Sequence, residues 1–129
     1  MPVLKTTMLI QKGYLLKQAL SIESVMQLFP INETILKKDT ALLVLWDGMF
    51  KLEFGYHKNA LSYFSVEPYA NSSLKDVFND DLYLFGKSQA CIEDYLPFTK
   101  INEERWNFKD LSFYFDEDKK LTAIFQNFK

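Results

Sequence analysis

The sequence predicts an α+β fold: a mainly antiparallel sheet of six or seven strands with two short helices on one face. Three observations carry that reading. The chain has 129 residues, enough for one domain over 1–129 with a real core but not for two ordinary ones. Apolar residues make up 48% and charged residues 25%, a globular balance, and the 16% of aromatics are mostly Phe and Tyr, which favour strands. Apolar residues also recur with two periods, near 3.6 in two short stretches and near 2 in several others.

The elements follow in order. "TTMLIQ" reads as a first strand, broken at Gly13. A helix is expected over about 21–29. Ser21 can cap it through its hydroxyl, and Ile22, Val25, Met26 and Phe29 share one face. Pro30 ends it by biasing Phe29 away from helical angles. "ALLVLW" is a continuous apolar run, read as a buried strand. Asp47-Gly48 is a hairpin turn signal, because both central positions of such a turn want positive φ. "MFKLEFGY" alternates Phe50, Leu52, Phe54 and Tyr56 with Lys51, Glu53 and Gly55, the period of a half-buried strand. "HKNA" turns the chain and "LSYFSV" returns, which completes a meander.

"EPYANSSLKDVFNDD" reads as a long connection with a helical turn at "SLKDVF". "LYLF" is expected as a short strand ended by Gly86, and "SQACIEDYL" as a second helix closed near Pro97. "TKINEERWNFKD" is polar with Trp106 in it. The chain finishes on a hairpin: "LSFYF", the turn "DEDKK", and "LTAIFQNF".

The two halves resemble each other. Setting Ile22 over Ile92 also brings Lys17 over Lys87, Glu23 over Glu93, and Ile31-Asn32-Glu33 over Ile101-Asn102-Glu103, with no gap. Each half ends in a hairpin with a leucine after its turn, Leu61 in one and Leu121 in the other. The second half has at most a shortened version of "ALLVLW". An internal duplication over 11–66 and 81–128 is the expectation; chance is its alternative.

The composition narrows the chemistry. Net charge is −2, so no global basic field serves nucleic acid or anionic lipid. No apolar run approaches the ~18 residues of a membrane helix, and Lys5, Lys12 and Lys17 interrupt the N-terminal stretch, unlike a signal peptide. Together with the lone Cys91 this implies a cytoplasmic protein. With one His and one Cys, a four-ligand zinc site is out of reach, and "DEDKK" lacks the spacing of a calcium loop, so neither metal nor cofactor is expected. His57 falls in a turn, where a solvated surface role is the reading. Cys91 falls in the second helix opposite Ser21, as a core or cap-adjacent thiol. No phosphate-cradling glycine motif and no nucleophile elbow occurs.

Acidic pairs remain: Asp80-Asp81, Glu93-Asp94, Glu103-Glu104 and Asp116-Glu117-Asp118. They read either as solvated loops and helix N-termini, with Glu93 and Asp94 complementing a helix dipole, or as a surface that steers a basic partner. Paired carboxylates across a cleft would be the catalytic alternative. Trp46 and Trp106 are candidate anchors for an interface or for the core.

The short "SIESVMQLF" helix, the polar loop after it, and the hairpin "LSFYFDEDKKLTAIF" resemble small bacterial immunity proteins of contact-dependent and polymorphic toxin systems. That resemblance implies a compact α+β protein, not an enzyme, which neutralises one cognate protein toxin by binding it. If the toxin is a basic nuclease, its electropositive active site suits an acidic face. Asp80, Asp81, Glu93 and Asp94 are then the expected contacts, with Asp116, Glu117 and Asp118 in reserve. The other reading is a small-molecule or lipid carrier with an apolar pocket, which the aromatic content would serve equally.

Overall fold

The computed structural model describes residues 15–16, 18–46, 50–68 and 84–128. The described residues form an α+β fold in the order α1 (Ile22–Leu28), β1 (Glu33–Leu36), β2 (Thr40–Trp46), β3 (Phe50–His57), β4 (Ala60–Pro68), α2 (Gln89–Ile92), β5 (Thr99–Lys100), β6 (Arg105–Phe108), β7 (Leu111–Phe115) and β8 (Leu121–Asn127). The strands make one antiparallel sheet of eight, ordered β1-β2-β3-β4-β8-β7-β6-β5. The sequence expectation was six or seven.

The additional strands are short and lie at or next to the edges of the sheet. β1, "ETIL", is exposed along its whole length at one edge. β5 and β6 lie within the polar segment "TKINEERWNFKD", with β5 at the other edge and β6 between it and β7. The edge strands β1 and β5 bury little, so pairing rather than burial decides them, while β6 buries Trp106. In the other direction, "LYLF" is not a strand at its described end. Leu84 and Phe85 are buried but irregular, and Gly86 turns with φ 80°. The first strand "TTMLIQ", the Asp47-Gly48 turn and the "SLKDVF" turn lie outside the described residues.

Local chemistry explains the helices. Ser21 Oγ accepts the backbone N–H of Ser24 at 3.1 Å, and Phe29 leaves the helix with extended angles before Pro30. Only Val25 and Phe29 of the expected apolar face are buried; Met26 is half exposed. Helix α2 is a single turn and ends at Ile92, so Glu93 is its C-cap and not a first-turn acid. A carboxylate there faces the negative end of the helix dipole, which Lys100 offsets through an ion pair of 2.6 Å.

Strand alternation puts Leu43, Leu45, Leu52, Phe54, Phe64 and Val66 on the same sheet face as Trp106, Leu111, Phe113 and Ile124, and all are buried in one cluster. Val25 of α1 and Ile92 of α2 are wholly buried in that cluster. The ring of Phe29 lies 5.0 Å from that of Phe54, and Phe98 lies 5.0 Å from Phe113. Trp106 is therefore core, while Trp46 is partly exposed.

The halves repeat the order helix and four strands. Structure sets their register differently from the ungapped sequence match. Both helices start from a serine, Ser21 and Ser88, so the fully buried Val25 corresponds to Ile92, Phe29 to Leu96 and Pro30 to Pro97. Ile92 therefore matches Val25 and not Ile22, and Cys91 matches Ser24 and not Ser21. The side chains agree: Ser21 Oγ donates to Ser24 Oγ at 3.0 Å, and Ser88 Oγ donates to Cys91 Sγ at 3.3 Å. In the hairpins, Leu52, Phe54 and Tyr56 correspond to Leu111, Phe113 and Phe115, and Leu61 to Leu121. Both hairpins carry a bulge at the same place, between Gly55 and Tyr56 and between Tyr114 and Phe115.

Candidate interaction site

Three segments of the second half are fastened together at one end of the sheet. The N–H of Phe115 donates to the carbonyl of Glu104 at 2.8 Å, which ties the loop 101–104 to the turn after β7. The N–H of Gln89, at the start of α2, donates to the carbonyl of Lys119 at 2.9 Å, and its side chain donates to the carbonyl of Glu103 at 2.7 Å. The turn is organised by Asp116, whose Oδ1 accepts the N–H groups of Asp118 at 2.9 Å and Lys120 at 3.0 Å. Lys119 takes positive φ there.

This arrangement gathers Glu103, Glu104, Glu117 and Asp118, all exposed, around the α2 N-terminus. The roles of the expected contacts separate. Asp116 shapes the turn. Glu93 is paired with Lys100, and Asp94 is exposed just beyond the helix. Asp80 and Asp81 lie outside the described residues. Glu103 and Glu104 were visible as an acidic pair, but nothing in the sequence signalled that the Phe115–Glu104 and Gln89–Glu103 bonds would bring them beside the turn.

The corresponding end of the first half carries the opposite charge. There the loop Lys37, Lys38, Asp39 meets the turn Lys58-Asn59, with the Lys58 N–H donating to the Asp39 carbonyl at 2.8 Å. Lys58 and Asn59 both have positive φ, as a two-residue hairpin turn requires. His57 is exposed at the end of β3 beside that turn. Because β4 and β8 run antiparallel, the two ends lie at opposite poles of the sheet.

The outer sheet face is polar and aromatic. Lys51 bridges Glu53 at 2.8 Å and Glu67 at 3.1 Å. Burial alone depresses the Lys51 ammonium, but those two carboxylates outweigh it and hold its pKa above the usual value. Tyr63 donates to Glu53 at 3.1 Å. Desolvation, assisted by the Glu53 charge, pushes its phenol up to about 12. Tyr56, on the core face, donates to the carbonyl of Leu20 at 2.8 Å and is likewise pushed up to about 12 by desolvation. The rings of Tyr63 and Tyr114 both pack on Phe125, at 5.5 and 5.3 Å. Among the described residues no group of three or more His, Cys, Asp or Glu side chains is placed to hold a metal ion, and no helix is long and apolar enough to cross a membrane. Cys91 is an exposed thiol.

No family model and no curated protein matches the chain. Among solved structures, a cysteine-rich secretory protein of Staphylococcus aureus is similar in fold, with a TM-score of 0.58 at 12% identity. The match covers 86% of this chain and 44% of that one, so this chain spans less than half the length of the protein it resembles. At that identity the likeness is one of fold alone.

Proposed function

We propose that this is an immunity-type binding protein, which neutralises a basic toxin domain such as a nuclease by occluding it in the cytoplasm, with no cofactor and no catalytic step of its own. The observation that supports this is the acidic pole: Glu103, Glu104, Glu117 and Asp118 are held on loops that are hydrogen-bonded to each other and to α2. The pole also carries Lys119 and Lys120 in the same turn, and the acids outnumber them; a preorganised, net acidic set steers a basic partner and costs little further ordering on contact. The sequence-chosen Glu93 and Asp94 flank that pole, and both helices sit on the core face in this reading, leaving the loops clear. We also propose that the halves descend from one duplicated unit, with charge at the equivalent poles diverging afterwards.

The test is growth rescue. The chain is co-expressed with toxin domains encoded in its own genomic neighbourhood, beside a variant carrying Glu103→Lys, Glu104→Lys, Glu117→Lys and Asp118→Lys. Rescue by the wild type and its loss in the variant is the expected result, with association slowed at low salt and the difference shrinking as salt rises. Rescue that survives the four reversals would move the interface away from this pole. No rescue against any such toxin would remove the immunity reading.

A further inference from the structure

We infer that the outer face of the first half carries a binding groove for a small amphipathic carboxylate, such as a free medium-chain fatty acid. The inference is independent of the acidic pole and of the toxin reading. A groove of about 470 Å³ lies beside the bulge of β3 and β4, within the range of small-ligand sites. Ile35, Leu42, Gly55 and Tyr63 make its apolar part, and Lys37 and His57 stand among its polar lining.

Two observations say what fits. The first is shape. A Cβ at position 55 would stand 2.1 Å from Cε1 of Tyr63, so the tyrosine ring occupies the space over the strand backbone and forms an apolar wall beside Leu42 and Ile35. In the second half the equivalent positions hold Tyr114 in place of Gly55 and Arg105 in place of Leu42, with the guanidinium 5.9 Å from the tyrosine ring centre. One half thus places two large side chains, stacked, where the other has a glycine and a leucine. The second observation is charge. No carboxylate lines the groove, while Lys37 does, and the adjoining depression of about 430 Å³ that shares Lys37, Thr40 and Ala41 with it carries Lys38 and Lys58 against the single carboxylate Asp39. The hydroxyls of Tyr63 and Tyr56 are committed to Glu53 and Leu20, so Lys37, with Thr40, His57 and Ser62 beside it in the lining, meets the anionic head while the tail lies against Ile35, Leu42 and Tyr63.

The experiment uses the full chain with three probes that share a ten-carbon tail: decanoate, decanol and decyltrimethylammonium, each followed by calorimetry and by tyrosine fluorescence. Decanoate should bind most tightly and the quaternary ammonium least. Lys37→Glu should weaken decanoate by about tenfold or more and narrow its advantage over the cation. Leu42→Arg, the residue of the other half, should fill the groove and abolish binding of all three while the thermal transition stays cooperative. Equal binding of the anion and the cation, binding unchanged by Leu42→Arg, or no decanoate binding at roughly millimolar concentration would each overturn the proposal.

Discussion

The two halves of this molecule share a plan and differ where they meet. Among the described residues each is a short helix that begins after a serine, followed by four antiparallel strands, and β4 lies against β8 at the centre. Phe64 stands opposite Gln126, and Val66 opposite Ile124. Since Phe64 corresponds to Ile124 and Val66 to Gln126, exchanging the halves returns the same pairs. The pseudo-two-fold axis therefore passes between Ser65 and Phe125, which face each other. Two large rings could not both occupy that point, and here one half supplies the ring and the other a small hydroxyl. The neighbours trade volume in the same way: Gly55 faces Tyr63, while Tyr114 faces Ala123. Close packing near an axis is met by sequence asymmetry between copies, because total volume is what a filled layer conserves.

The largest expected effect tests whether the halves are one cooperative unit. Phe54 and Phe113 are equivalent and fully buried. Each Phe→Ala change should cost about 3–5 kcal/mol, read from urea unfolding. Similar losses with a single transition are expected; two separate transitions in either variant would break the picture of one shared core.

Next comes Gly55→Ala. The added Cβ must displace the Tyr63 ring, which Glu53 and Phe125 hold in place. A cost of about 1–3 kcal/mol is expected, as for overpacking. Adding Tyr63→Ala, which brings the pair nearer to the small residue of the other half, should recover part of it. If the double variant is no better than the single one, the trade of volume across these strands is wrong.

Gln126 is the asymmetric member of the core face. Its side-chain oxygen accepts the N–H groups of Leu15 and Leu16, and its amide donates to the Leu16 carbonyl at 2.9 Å. Its counterpart is Val66. Gln126→Val should cost about 1–3 kcal/mol by leaving those buried backbone groups unpaired, and amide hydrogen exchange at Leu15 and Leu16 should speed up before the rest of the chain.

Alkaline pH should weaken the whole fold through two groups of the first half. Tyr56 and Tyr63 have folded pKa values raised to about 12 from an ordinary 10.0. The unfolded chain therefore releases these protons first, so their stabilisation is intact below pH 10 and is lost as pH rises through about 12. Their counterparts Phe115 and Ala123 do not titrate. Tyr56→Phe should flatten the decline in melting temperature across that window, and an unaltered slope would show that Tyr56 is not its source.

The smallest effect concerns the axis itself. Ser65 is fully buried and its Oγ has no hydrogen-bond partner among the described residues. Ser65→Ala removes an unpaired polar atom and should be neutral or stabilising by up to about 1 kcal/mol. A clear loss of stability would mean that the hydroxyl has a partner.

Much of this was legible in the sequence because it rests on local pattern. The Ser21 cap, the stop at Pro30, the alternation "KLEFGY" and "LSFYF", and the leucine after each turn are signals that short-range sterics and burial write into neighbouring residues. The edges were not legible. β1 and β5 are exposed, so selection for burial leaves no period of two in "ETIL" or "TK", and long-range hydrogen bonding alone makes them strands. The ungapped sequence match and the structural equivalence of the halves differ in register because the connections differ in length, and the structural one pairs the buried Val25 with Ile92 and Phe54 with Phe113. By itself the sequence determined the α+β class, the hairpins and the first helix. Tertiary structure alone decided that β4 meets β8, that Glu103 and Glu104 join Glu117 and Asp118, and that the Tyr63 ring lies over the bare backbone at Gly55. Those juxtapositions depend on residues far apart in the chain, which no local period can record.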